Sequence, residues 1–370
     1  MKEDIIVIGG YGHVGQMICE SLGEIYPGKV YAAGRNLKRA EAFCQTTNGR
    51  VKPLQADISK PVDLSFFERA RLIVMCLDQT DTSFVKACIR SGTHYVDISA
   101  NGAFLSQAES LHKAAEDARA TAVLSVGLAP GLTNLLAVQA SRWMDETKTI
   151  EIGIMLGLGD KHGRAAIEWT VDNLNARYAI MQNNRSVTAY SFTKGKRMDF
   201  GSDLSRKKAF LFPFADQQSL PRTLNVPSVA TRLCLDSGMA TSFLAVLKAS
   251  GLFRMLSVAW FRQAVIRSFG LLSFGDDRYA VKVDAKGRRG SEEIEAELTV
   301  HGHHEADMTA KIAAHISDTV YRSELPFGVY HIEQLFRLCD IYAIIRQATF
   351  AEAKINGRAV DMDGTASYSP

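Results

Sequence analysis

From the N-terminus to about residue 130, short apolar runs alternate with segments whose apolar positions recur every three or four residues. The runs are Ile5 to Ile8, Val30 to Ala33, Val51 to Leu54, Leu72 to Leu77, Tyr95 to Ile98 and Ala122 to Val126. After the first of them, Val14, Ile18 and Leu22 share one helical face; Phe84, Ala87 and Cys88 do so ahead of a Ser91-Gly92 stop. Continuous apolar strands spaced by amphipathic helices require a parallel sheet covered on both faces. The pattern predicts a doubly wound α/β domain over residues 1–131.

Beyond Leu132 the apolar positions alternate with period two, and several such runs follow one another directly. Strands are expected over Thr149 to Leu156, Ser186 to Thr193, Ala209 to Phe214 and Val229 to Leu235. Two more, through Tyr279, Val281 and Val283 and through Ile294, Ala296, Leu298 and Val300, flank the turn Lys286-Gly287-Arg288-Arg289-Gly290. Helical faces lie at Ile167, Val171, Leu174 and Tyr178, and at Met308, Ile312, Ile316 and Val320. An α+β substrate and dimerisation domain with a mixed or antiparallel sheet is expected over 132–330, a helical return to the first domain over 331–350, and a loose tail over 351–370.

Composition narrows the function. Two domains suit 370 residues of which 46% are apolar. A net charge of +3 leaves no single-sign field for gripping nucleic acid. Six cysteines without paired spacing, and an N-terminus Met1-Lys2-Glu3-Asp4 that runs directly into a strand, point to a reduced cytoplasmic compartment. The uncharged stretch Ala120 to Ser141 is interrupted by Gly127, Pro130 and Gly131, so it reads as strand, loop and helix, and no integral membrane span is expected. Gly251 to Gly275 mixes apolar residues with Arg254, Arg262 and Arg267; a helix packed in a core or subunit interface is preferred there to one lying on a lipid surface.

The most specific motif is Gly10-Tyr11-Gly12-His13-Val14-Gly15, placed after the first strand and opening the first helix. In this context it is a Rossmann dinucleotide fingerprint: the glycines admit a tight turn and close approach of the backbone, and the helix N-terminus offers free amides to a pyrophosphate. The end of the second strand, Ala33-Gly34-Arg35-Asn36, lacks the acid that would bind a ribose hydroxyl of NAD; Arg35, with Lys38 or Arg39 beyond it, suits the 2′-phosphate of NADP. NADP is therefore expected over NAD. Loops at the carboxyl ends of later strands supply further contacts: Asp57-Ile58, Leu77-Asp78, Ile98-Ser99 and Gly127-Leu128, although Asp57 and Ser99 also suit helix caps.

These pieces, with Gly92-Thr93-His94-Tyr95-Val96-Asp97, Gly127-Leu128-Ala129-Pro130-Gly131-Leu132 and Pro326-Phe327-Gly328-Val329-Tyr330-His331-Ile332-Glu333, make the chain resemble the saccharopine dehydrogenase family, which includes saccharopine reductases, lysine dehydrogenases and carboxynorspermidine dehydrogenases. The resemblance implies a pyridine-nucleotide oxidoreductase acting on a carbon–nitrogen bond of an amine or amino-acid substrate, and a homodimer built largely through the second domain. Ala129 stands where relatives commonly carry Asp, a departure that bears on the substrate class.

Hydride transfer needs positioning, and a proton donor where the product gains a proton. Asp97, at the end of the fifth strand, is the leading candidate for a catalytic charge, with Tyr95, His94 and Asp78 behind it. Trp169, Asn173, Arg177 and Tyr178 are placed on one helix, more as core and surface than as cleft, and Arg232 and Lys282 on strands. His301 and His303 share a strand face without a legible carboxylate partner, so no metal site is expected, and Ser125 and Cys76 show no legible histidine partner. A non-catalytic nucleotide sensor and a lipid-associated relative are the competing readings.

Overall fold

The computed structural model describes residues 2–60, 66–201, 204–271 and 275–362. The chain forms two units, Met1–Gly131 with Ala306–Leu335, and Leu132–Glu305 with Phe336–Pro370.

The first unit is built on strands β1 (Asp4–Ile8), β2 (Val30–Gly34), β3 (Val51–Gln55), β4 (Ala70–Met75), β5 (His94–Asp97) and β6 (Thr121–Leu124). A further strand, Gly328–His331, joins them, and the sheet runs Gly328–His331, β6, β5, β4, β1, β2, β3, every pairing parallel. Every residue of β1 and β6 is buried, as helices on both faces demand. The first helix, His13–Ile25, buries Ile18, Cys19 and Leu22. The expected Ala120 to Ser141 segment divides into β6, a loop and the helix Thr133–Ser141, and among the described residues no helix is long and apolar enough to cross a membrane.

The later boundaries differ from expectation. Helix Glu305–Arg322 belongs almost wholly to the first unit, held there by Tyr26 Oη donating to Asp318 (2.7 Å), Arg71 Nε donating to the Tyr321 carbonyl (3.0 Å) and Tyr321 Oη donating to the Glu3 carbonyl (2.9 Å). That helix and the strand Gly328–His331 make the return that had been expected of a helical 331–350. From Phe336 the chain rejoins the second unit, and Phe350–Ile355 pairs antiparallel with Glu292–His303. Residues 351–360 are therefore sheet and turn instead of tail, while the expected loop 363–367 lies outside the described residues. A four-residue strand carries too few positions to show a period, and Phe350-Ala351-Glu352-Ala353 carries helix formers in a strand.

The second unit contains β7 (Glu146–Leu156), the hairpin β8 (Arg177–Gln182) and β9 (Arg185–Tyr190), β10 (Lys196–Asp199), β11 (Arg206–Leu211), β12 (Ser228–Leu235), β13 (Arg278–Arg289) and β14 (Glu292–His303). With Gly328–His331 as β15, the last strands are β16 (Phe350–Ile355) and β17 (Arg358–Val360). The large sheet runs β10, β11, β12, β7, β13, β14, β16, β17; only β12 and β7 are parallel, so the sheet is mixed. Helix Thr133–Ser141 packs on β7, β13 and β14. The expected helix through Tyr178 stops at Asn173, and Arg177 and Tyr178 open β8.

Alternation along β7, β12 and β13 places Glu151, Arg232, Lys282 and Asp284 in one charged cluster on the sheet. Arg232 pairs with Glu151, and Lys282 Nζ lies 3.1 Å from Asp284 and 2.6 Å from Glu297, so both expected cations are held by the fold. Burial pushes the Asp284 carboxyl up to about 6, against the pull of Lys282. The folded protein keeps this proton to higher pH than the unfolded chain, so the stability it contributes is complete below the ordinary value of 3.8 and is lost as pH rises through about 6. Asp284→Asn should gain stability relative to the native chain, on the order of 1 to 3 kcal/mol, as pH rises across that window. Urea unfolding at several pH values checks this, and a constant difference between the two proteins would refute it.

Candidate active site

The carboxyl ends of β1 to β6 carry the candidate residues. Directly after β1, Gly9 turns the chain at φ 80°, a conformation that side chains disfavour, and its carbonyl accepts from Gly12 N at 2.8 Å. Helix His13–Ile25 begins with extended Gly12 as its cap and has no side-chain cap. Its first amides are therefore left to an external acceptor, and no acid in the first turn opposes an anion there. The helix can start this close to the turn only because Gly15 has no side chain: a Cβ there would stand 2.2 Å from the Gly9 carbonyl oxygen, and one on Gly12 would stand 3.0 Å from the same atom. His13 is exposed and Val14 half-buried beside this cradle.

Tyr11 lies across the end of β2. Its ring occupies the space in front of Gly34, its hydroxyl accepts from Asn36 N at 3.0 Å, and the Arg39 guanidinium sits 5.0 Å above the ring. Asn36 caps the following helix by accepting from Arg39 N at 3.1 Å, so its side chain serves the fold. Arg35 is exposed. Asp57 accepts from Ser59 Oγ at 2.6 Å and Ser59 N at 3.1 Å, bonds that hold its carboxyl below the usual range. It closes its own loop, and Ile58 beside it is half-buried.

At the end of β4, Leu77 packs against Gly9 and Asp78 is exposed. Gln79, which no sequence motif marks, is buried and donates to Tyr95 Oη at 2.7 Å and to Asp97 Oδ2 at 3.4 Å. Asp97 has no exposed surface: Tyr95 Oη donates to its Oδ2 and Ser99 N donates to its Oδ1 at 2.7 Å. Burial pushes this carboxyl above the ordinary carboxylate range despite those bonds. His94 Nδ1 accepts from Thr121 N at 3.0 Å, and burial lowers its basicity. Two polar atoms remain buried without a partner in this group, Gln79 Oε1 and Ser99 Oγ.

Beside them is a constellation that sequence spacing did not reveal. Ser125, at φ 61° after β6, has its Oγ 2.7 Å from His331 Nδ1, and His331 Nε2 lies 2.7 Å from Glu109 Oε1. The serine and histidine are 206 residues apart and meet because β15 is the parallel neighbour of β6. Ser125 is fully buried, which suits an anchor of the loop that follows and gives a substrate no route to its hydroxyl. In that loop Gly127 is buried and Leu128 N donates to Thr309 Oγ1 at 3.2 Å.

In the second unit Trp169 packs on Phe212 and Phe214, with centroids 5.5 and 5.1 Å away, as core. His301 is buried and stacks on Phe350. His303, by contrast, does meet carboxylates: donor atoms of Asp276, Asp277 and His303 lie within 4.8 Å of one another. The antiparallel register of β13 and β14 brings the aspartates to it, and Asp276 also pairs with Arg278.

Residues 5–123 match the family model described as the saccharopine dehydrogenase NADP binding domain. Among solved structures, the chain is similar to the apo, histidine-tagged saccharopine dehydrogenase (L-Glu forming) from Saccharomyces cerevisiae, with a TM-score of 0.65 at 14% identity over 95% of this chain and 99% of that one. It is also similar to the DAP dehydrogenase of C. glutamicum in complex with DAP, with a TM-score of 0.43 at 12% identity over 93% of this chain and 99% of that one. No curated protein matches it in sequence.

The cradle makes two glycine substitutions separable. Gly15→Ala drives a methyl into the Gly9 carbonyl and should lower the thermal midpoint while abolishing dinucleotide binding. Gly12→Ala, at the looser distance, should keep the midpoint within a few degrees and weaken binding alone. Thermal unfolding alongside dinucleotide titration distinguishes the two, and equal effects on stability would contradict this geometry.

Proposed function

We propose, for a saccharopine dehydrogenase-like oxidoreductase whose residues 5–123 form the family's NADP-binding domain, that it uses NADP in preference to NAD to reduce an imine or oxidise a secondary amine of an amino-acid or amine substrate. The observation that carries this reading is the uncapped helix start at Gly12 to Gly15, closed against the Gly9 carbonyl, within a sheet of Rossmann order.

The described residues fit the dinucleotide. The uncapped amides of the helix start that follows Gly12 would hold its pyrophosphate, exposed Arg35 would neutralise a 2′-phosphate, and Gln79 Oε1 and Ser99 Oγ are buried atoms still lacking partners at the ends of neighbouring strands. When bound, the cofactor supplies or accepts a hydride. The chain's own residues supply orientation. Asp97, sealed by Tyr95, Gln79 and Ser99, acts as a positioning residue that fixes the loops after β4 and β5, in place of the proton donor its strand-end position suggests. The Ser125, His331 and Glu109 chain does the same for the loop through Gly127.

Fluorescence titration with NADPH and NADH tests the cofactor reading, and a panel of 2-oxo acids with amines tests the reaction. NADPH should bind more tightly, and Arg35→Ala should weaken NADPH binding by about 10- to 100-fold with little effect on NADH. Equal or tighter binding of NADH rejects the role of Arg35. NADPH oxidation by no amine and carbonyl pair, with cofactor binding intact, rejects the carbon–nitrogen reaction.

A further inference from the structure

Between β12 and β13 the second unit carries helix Gly238–Ala249, a 3₁₀ turn Leu252–Ser257 and helix Ala259–Leu271. The first helix is amphipathic in an inverted sense. Thr241 and Leu244 face inward, whereas Met239, Phe243 and Val246, at helical spacing, stand 84%, 62% and 63% exposed. The outward apolar surface continues through Leu252 and Met255 in the 3₁₀ turn and reaches Val258 and Trp260, the latter 67% exposed. Seven of the ten exposed large apolar side chains among the described residues thus fall between 239 and 260. The segment expected to pack does so in part, since Phe253 and Ile266 are buried and helix Ala259–Leu271 lies on helix Arg164–Asn173, but the exposed side chains are left uncovered within the chain, and such a concentration calls for a covering surface.

Charge says which. From Ser237 to Gly275 there is no Asp or Glu, while Lys248, Arg254, Arg262 and Arg267 are all cationic. Asp172 on the neighbouring helix binds Arg262 through two bonds of 2.5 and 2.7 Å, and Arg254 and Arg267 stay exposed without a carboxylate partner among the described residues. A two-fold contact with a second copy would bury Lys248, Arg254 and Arg267 of both copies in one interface to which the segment itself contributes no Asp or Glu. An anionic lipid headgroup layer supplies that missing charge, its acyl boundary accepts the apolar side chains, and the boundary itself is where tryptophan concentrates. We propose that the segment from Met239 to Arg267 is a peripheral membrane-docking surface that binds anionic phospholipid bilayers.

Co-sedimentation of the full chain with vesicles of phosphatidylglycerol and phosphatidylcholine, or of phosphatidylcholine alone, tests this at low and high salt. Binding to the anionic vesicles should be at least about tenfold stronger than to neutral ones and should weaken with salt. Phe243→Ser and Trp260→Ser should each reduce partitioning by about tenfold and leave the NADPH titration unchanged, which separates lost docking from lost fold. Vesicles should shift the tryptophan emission to the blue, and Trp260→Phe should bind while losing that shift. Absence of binding to anionic vesicles overturns the proposal. So does a dimer in solution that dissociates on Phe243→Ser, because a second copy would then cover the patch.

Discussion

The contact between the backbone of Gly15 and the carbonyl of Gly9 is the constraint on which the first unit turns. One strand ends, one helix begins, and the two elements approach so closely that no side chain fits between them. That approach aims uncapped amides at the space beyond the sheet, so an anion-binding surface is assembled from main chain alone. Side chains then tune it. Tyr11 ties the turn to the end of β2 through Asn36 N and supports the Arg39 guanidinium, which leaves exposed Arg35 and Lys38 as nearby cations not stacked on that ring.

Farther along the carboxyl edge, the polar groups that look most reactive are the most deeply enclosed. Asp97 and Ser125 are both without exposed surface, and each is engaged by a partner contributed from another strand or loop. The upward shift of the Asp97 pKa follows from burial and is accounted for by the architecture around it.

Much of this is legible in the amino-acid sequence. Strands β1, β4 and β6 of the first unit announce themselves because buried strands are almost continuously apolar, and the glycine spacing is local by nature. Period-two runs likewise reveal β7, β12, β13 and β14. What stayed hidden depends on long-range register. Ser125 acquires its histidine only when β15 settles beside β6, and His303 acquires its aspartates only through the β13 and β14 hairpin. Asp97 is visible as a strand-end acid, but the Gln79 and Tyr95 bonds that bury it are not. Trp260 was expected to be covered because apolar helical faces usually are; its exposure is a property of the fold that periodicity cannot express.

The placement of β15 has a further consequence for how the chain is made. A ribosome that has released residues 1–131 has delivered six strands of a seven-stranded sheet, with β6 as an open edge whose amides and carbonyls await a partner some 200 residues away. The nascent first unit therefore waits, incompletely hydrogen-bonded, until almost the whole second unit has emerged, and the order of synthesis links completion of the dinucleotide domain to that of its neighbour.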